Sequence, residues 1–193
     1  MFENQRKGRL IIFSAPSGAG KTTLVRHTMS NIDNLTFSVS ACSRGKRPNE
    51  TDGKDYHFFS VEEFKEKIEN GEFIEWEEVY PDHFYGTLYA EVDEKRNRGK
   101  HVVFDVDVVG GLNIKKIFGE DALSIFIKPP SVEILKERLS DRGTDNKDDI
   151  ETRIKKAEFE LGFEKEFDVS IINDDLRKAQ GETVRVINNF LSD

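Results

Sequence analysis

Leu10-Ile11-Ile12-Phe13 leads through Ser14 into Ala15-Pro16-Ser17-Gly18-Ala19-Gly20-Lys21-Thr22, and this stretch decides the fold. An apolar run short enough for a buried strand meets a glycine-rich turn, and helical patterning follows. That order aims several backbone N–H groups and the positive end of a helix dipole at one point, which suits a polyphosphate. Gly18 and Gly20 let the backbone curl where a Cβ would obstruct it. Lys21 would neutralise the outer phosphates, and the Thr22 hydroxyl would hold Mg²⁺. Ala15 stands where the pattern G-x-x-x-x-G-K-[ST] has its first glycine, a position that accepts a methyl group. Nucleotide contacts are therefore expected from Ala15, Pro16, Ser17, Gly18, Ala19, Gly20, Lys21, Thr22 and Thr23.

Bulk composition bounds the rest. A chain of 193 residues, 36% apolar and 34% charged, suits one domain with small insertions and a heavily charged surface. The net charge of −8 argues against a general binder of nucleic acid or anionic membrane, which needs a broad basic face. Phosphate chemistry must then use local cationic clusters. A lone cysteine, Cys42, excludes an intrachain disulfide, and neither a signal peptide nor an apolar run of membrane-spanning length is evident. These features predict a cytoplasmic protein. His27, His57, His83 and His101 lack metal-ligand spacing, so structural or solvated roles are expected.

Apolar runs at Leu10 to Phe13, Val102 to Val106, Leu123 to Ile127 and Val169 to Ile172 read as buried parallel strands separated by helices, with Phe37 to Ser40 as a weaker fifth. Ser60 and Glu63 form a capping box, Gly71 suits a helix C-terminus, and Ser131 opens a helix through Leu135 and Leu139. Two stretches break the alternation. Ala41 to Ala90 is rich in turn formers and aromatics and predicts a small mixed insertion with its own core. Arg138 to Lys156 is polar and predicts a mobile surface segment. The first eight residues are expected to fray.

Arg44 and Arg47, beside a glycine turn and followed by Tyr56, can fork onto one phosphate dianion. On spacing alone, a solvated basic loop is at least as good a reading. The block Ser40-Ala-Cys-Ser-Arg44-Gly-Lys-Arg47-Pro-Asn-Glu50 through Gly53, Tyr56 and Phe58 resembles the guanylate kinase signature. The resemblance runs from Leu10 to about Leu191, through Phe73-Ile-Glu75-Trp76, Tyr85-Gly86-Thr87, Asp105-Val-Asp107, Pro129-Pro130-Ser131, Arg138, Arg142-Gly143-Thr144, Arg153 and Asn173-Asp174-Asp175.

The resemblance implies an α/β P-loop kinase with a parallel core sheet flanked by helices, a mixed α+β GMP-binding insertion and a helical lid. Its parts would be a core of residues 9–40, 91–137 and 157–193, a GMP-binding subdomain of 41–90 and a lid of 138–156. It implies Mg²⁺-dependent transfer of the γ-phosphoryl group from ATP to GMP by a monomer or homodimer. Arg44, Arg47, Tyr56 and Tyr85 would hold the GMP phosphate, with Arg44 counted among the catalytic cations. Ser40, Glu75, Thr87 and Asp107 would face the guanine base. Arg138, Arg142 and Arg153 would approach the ATP phosphates, and Asn173 would lie near the adenine. Cys42 and Ser43 stand where the family commonly has Thr-Thr, Asn49 replaces a common glycine, and Val109 replaces a common glutamine. Asn49 can adopt the left-handed conformation that glycine would supply. Cys42 is expected close enough to the acceptor pocket for GMP to slow its alkylation.

The chemistry of the residues agrees with these roles. Guanine offers N1–H and an N2 amine side by side to a carboxylate, whereas adenine N1 is an acceptor that a carboxylate repels. Glu75 and Asp107 suit this task, and hydroxyls on Ser40 and Thr87 can donate to the guanine carbonyl. Without the resemblance, Glu75 reads as a solvated strand residue, and Arg138 and Arg142 as a salt-bridged helix face. Asp107 ends an apolar strand at its carboxyl end, where open α/β sheets bind ligands. Asp105 is placed to assist the Mg²⁺ shell or the arginine pair. GMP arrives largely as a dianion and needs no catalytic base, so positioning and cations carry the rate. Two other classes fit parts of the sequence. A non-catalytic guanylate-kinase-like scaffold would have a degraded phosphate loop, and a P-loop kinase for another phosphorylated small molecule would not need the Arg44, Arg47, Glu75, Tyr85 and Asp107 set.

Overall fold

The computed structural model describes residues 6–141 and 147–192. In chain order the elements are β1 (Leu10–Ser14), α1 (Lys21–Asn31), β2 (Leu35–Phe37), β3 (Ala41–Cys42), β4 (His57–Phe58), α2 (Val61–Glu69), β5 (Phe73–Tyr80), β6 (His83–Leu88), α3 (Tyr89–Asn97), β7 (His101–Asp105), α4 (Val108–Phe118), β8 (Ala122–Lys128), α5 (Val132–Asp141), α6 (Lys147–Leu161), β9 (Val169–Ile172) and α7 (Leu176–Ser192). One sheet runs β2-β7-β1-β8-β9 and a second runs β4-β3-β6-β5. In the first, β8 lies parallel to β1, from Leu10↔Ala122 to Ser14↔Phe126, and parallel to β9, from Ile125↔Val169 to Lys128↔Ile172. Every residue of β1 is buried, as is β8 up to Ile127, so their continuous apolar runs reflect cover on both faces. Among the described residues no helix is long and apolar enough to cross a membrane.

Packing divides the chain into two units, Leu10–Leu35 with Phe104–Asp193, and Met1–Arg9 with Thr36–Val103. In the first, the joint between β1 and α4 is close. Ser14 Oγ donates to the Asp107 carbonyl at 2.9 Å, and Asp107 Oδ1 caps α4 by accepting from Gly110 N at 2.7 Å. A Cβ on Gly111 would come within 2.4 Å of Ser14 Oγ, so glycine is what lets α4 lie this near the strand. Leu135, Leu139 and Ala157, with Ile154 against them, join α5 to α6 in a small core of their own. As expected, Ser131 starts α5: its carbonyl accepts from Leu135 N at 3.2 Å.

The second unit has a mixed sheet. β3 pairs parallel with β4 and antiparallel with β6, which pairs antiparallel with β5. Its core is Ala41, Phe64, Phe73 and Phe84, with the Phe64 ring stacked 4.3 Å from Phe73 and 5.5 Å from Phe84. The capping box predicted at Ser60 forms, with Ser60 Oγ accepting from Glu63 N and Glu63 Oε2 accepting from Ser60 N. Gly71 takes φ +67 just beyond α2.

Two expectations need correction. The weak strand predicted at Phe37 to Ser40 lies instead at Leu35–Phe37, because Val39 N donates to the Glu91 carboxylate rather than to a neighbouring strand. The fraying expected of the first eight residues does not hold at Gly8, which is buried, while residues 1–5 lie outside the described residues. The Gly8 N–H donates to the Arg96 carbonyl at 2.9 Å and its carbonyl accepts from Arg96 Nε at 2.8 Å.

Phe64→Ala removes the ring at the centre of the smaller core and should cost about 3–5 kcal/mol, the range for truncating a buried phenylalanine. Urea unfolding checks this, and a loss under 1 kcal/mol would mean that the cluster does not hold the unit together.

Candidate active site

Between β1 and α1 the backbone bends through two left-handed glycines, Gly18 at φ +92 and Gly20 at φ +93. It encloses a cavity of about 420 Å³, lined by residues 15–18, 20–23 and 105–107 together with Lys156 and Glu160. Lys21 stands on its wall, with Nζ 2.5 Å from Asp105 Oδ1 and donating to the Val106 carbonyl at 2.7 Å. Thr22 and Thr23 are exposed in the first turn of α1. The structure thus gathers Ala15, Pro16, Ser17, Gly18, Gly20, Lys21, Thr22, Thr23, Asp105 and Asp107 about one space.

Ala19 and Asn173 are bonded to each other beside it. Ala19 is fully buried, its N–H donating to the Pro16 carbonyl at 3.1 Å and its carbonyl accepting from Asn173 Nδ2 at 2.8 Å. A Cβ on Gly20 would fall 2.2 Å from the same amide nitrogen. Asn173, just past β9, is itself fixed, its N–H donating to Lys128 O at 2.8 Å and its carbonyl accepting from Arg138 Nη2 at 2.9 Å. It therefore braces the loop from behind. From α6, Arg153 Nη1 donates to Ser17 Oγ at 3.2 Å. Arg142 lies outside the described residues.

Sequence reasoning missed Lys156 and Glu160. Both follow Arg153 on one face of α6, at helical spacing that a wheel drawn through Arg153 would have found. Burial pushes the Glu160 carboxyl up and the Asp107 charge adds to this, while Lys156 and Lys21 oppose it.

In the other unit, the arginine loop is built around Glu50. Its two carboxylate oxygens accept from Arg44 Nη2 at 2.5 Å and Nη1 at 2.7 Å, and Oε2 also accepts from Arg47 N at 2.8 Å. The Arg44 pair, aided by the Arg47 N–H, holds the Glu50 carboxyl down to about 2, and Glu50 in turn raises Arg44 above its ordinary value. The Arg44 guanidinium lies 4.9 Å from the Tyr56 ring centre, and the Tyr56 ring is 6.1 Å from that of Tyr85. The Arg47 side chain is exposed. Asn49 is not left-handed: among the described non-glycine residues only Asn34 and Asp82 have positive φ. The turn closes through Glu50 N to Arg47 O at 3.1 Å and needs no such residue.

Glu75 and Thr87 face each other across β5 and β6, where the buried Thr87 hydroxyl donates to Glu75 Oε1 at 2.6 Å. That hydroxyl proton is directed at the carboxylate, so it orients Glu75. Ser40 is half-buried, and its carbonyl accepts from His57 N at 2.9 Å. Asp107 belongs to the first unit. Cys42 is fully buried in β3, where burial raises its thiol pKa. Such burial favours slow alkylation of this thiol with or without GMP, against the expectation of a GMP-sensitive rate.

A glycine-rich loop joining a buried strand to a helix on a parallel sheet defines the phosphate-loop class of α/β proteins. The comparisons narrow this. The guanylate kinase family model matches residues 7–190. The chain is 54% identical over 188 residues to the guanylate kinase of Bacteroides thetaiotaomicron, covering 97% of this chain and 92% of that one. With the guanylate kinase of Thermotoga maritima it shares 43% identity over 183 residues, covering 95% and 87%. The crystal structure of guanylate kinase from Anaplasma phagocytophilum superposes with a TM-score of 0.71 at 28% identity, covering 97% of this chain and 88% of that one. The chain belongs to the guanylate kinase family.

Asn173→Ala leaves the Ala19 carbonyl buried without its donor and should cost about 1–3 kcal/mol, the penalty for stranding one polar group. Chemical denaturation measures it. An unchanged stability would show that the brace carries no weight.

Proposed function

We propose that this chain transfers the γ-phosphoryl group of ATP to GMP, giving ADP and GDP, in the cytoplasm. The observation that carries the reading is Lys21 on the wall of a cavity framed by an intact phosphate loop. ATP phosphates would lie there, with the outer ones against Lys21 and with Arg138, Arg142 and Arg153 supplying further positive charge. Mg²⁺ suits the same space: it keeps waters and phosphate oxygens and takes only one or two protein oxygens, and the Thr22 hydroxyl and Asp105 carboxylate line the cavity. When bound, the ion would offset charge on the phosphate oxygens.

Arg44, Arg47, Tyr56 and Tyr85 would hold the acceptor phosphate, and Glu75 would read the base. A carboxylate accepts guanine N1–H and the N2 amine together, and the bond from Thr87 favours the carboxylate orientation that this requires. Ser40 and Asp107 would complete the base contacts. The acceptor phosphate is largely a dianion at neutral pH, with a second pKa near ~6, so no side chain has to remove a proton from it. What remains is in-line alignment and charge stabilisation, the dominant contributions to phosphoryl transfer. An ADP-release assay with GMP, AMP, CMP and UMP tests the whole reading. Turnover should be confined to GMP, and equal turnover with AMP would overturn it.

Two substitutions test the donor and acceptor readings separately. Lys21→Ala should lower kcat roughly 10²-fold or more, the effect of removing one preorganised charge stabiliser, while GMP binding measured by calorimetry persists. Glu75→Gln turns an amide NH₂ toward a guanine donor and should cost GMP about 2–3 kcal/mol, the range for a charged hydrogen bond. AMP should lose nothing, since the amide can donate to adenine N1. The ratio of kcat/KM for GMP over AMP should therefore fall about tenfold or more, following the affinity arithmetic. An unchanged ratio would return Glu75 to a solvated strand residue.

A further inference from the structure

Glu50 poses a problem of sign. A carboxylate next to a phosphate-binding arginine removes positive charge where a dianion would bind, yet Glu50 grips Arg44 with both oxygens, and the two side chains are only 15% and 12% exposed. Simple electrostatics says that GMP should bind better without it. The geometry gives Glu50 a different value. A guanidinium carries five N–H groups in a fixed plane, two on each Nη and one on Nε. Glu50 spans Nη1 and Nη2 and so takes the end-on fork, and Nη1 also donates to the Gly45 carbonyl at 3.1 Å. The side edge remains, where the Nε hydrogen and the outer Nη2 hydrogen lie next to each other. Two such donors match two oxygens of one phosphate. Tyr85, which is assigned to the same phosphate, has its ring 6.1 Å from that of Tyr56, against which this guanidinium lies. The rings of Tyr56 and Phe58, at 4.9 and 5.5 Å from Arg44 Cζ, flank it. Glu50 Oε2 also accepts from Arg47 N, and the Glu50 carbonyl accepts from Lys46 Nζ at 3.0 Å, so one residue ties the loop together.

We propose that Glu50 is a positioning residue for the acceptor phosphate: it occupies the end-on fork of Arg44, so that the Nε edge of the guanidinium is the one presented to GMP. The proposal rests on the reading of Arg44 as a phosphate anchor.

A double-mutant cycle on the full chain tests it, using Glu50→Gln, Arg44→Met and the double variant. The readouts are KM for GMP, KM for ATP and competitive inhibition by guanosine, which lacks the phosphate. Glu50→Gln should raise KM for GMP roughly tenfold or more, the scale of a lost charge-assisted pair, with KM for ATP and guanosine inhibition unchanged. In the Arg44→Met background, the same change should add little. Tighter GMP binding by Glu50→Gln would mean that charge outweighs geometry and would overturn the proposal. Additive effects in the cycle, or guanosine inhibition lost in parallel with GMP, would also overturn it. If Arg44→Met raises KM for GMP and Glu50→Gln does not, the proposal fails while the acceptor reading stands. If Arg44→Met itself leaves KM for GMP unchanged, the acceptor reading fails first. Should Glu50→Gln melt early, Glu50→Asp, which keeps the charge but shortens its reach, is read the same way.

Discussion

Positive charge gathered to meet a phosphate repels itself and must be held in place by something of opposite sign. In each unit a carboxylate meets that requirement. Asp105 holds Lys21 at 2.5 Å and Glu50 holds Arg44 at 2.5 Å. On α6, Lys156 and Glu160 form a looser version at 3.9 Å. A chain with a net charge of −8 thereby keeps local cation clusters without a basic face. Each pair also fixes direction, because the carboxylate takes some of the donors and leaves the others aimed elsewhere.

The sequence carried the parts of this architecture that depend on neighbours along the chain. Strands buried on both faces appear as unbroken apolar runs, which is why the strand beginning at Leu10 was legible. The capping box at Ser60 and the left-handed glycines were readable for the same reason: the residues that make the bonds lie within a few positions of each other. The phosphate loop combined both kinds of signal.

Illegible features depended on partners far away in sequence. Nothing near Val39 announces that Glu91 will take its N–H, and nothing near Gly8 announces Arg96. Cys42 looked accessible because Arg44 follows it, but in β3 both Ala41 and Cys42 are fully buried. Thr87 and Glu75 are separated by twelve residues, and only the register of β5 on β6 makes the hydroxyl an orienting group for the carboxylate. The resemblance supplied the names of these site residues, and the structure supplied the bonds between them.

The bond between Asn173 and Ala19 spans 154 positions of chain. A ribosome emits the glycine-rich segment well before the residue that braces it. Until β9 is laid beside β8, the growing polypeptide carries every letter of the motif and lacks the support that fixes its curve. The loop thus gains this brace only once β9 has been made, and a chain cut short before β9 would keep the signature in its primary structure without that support.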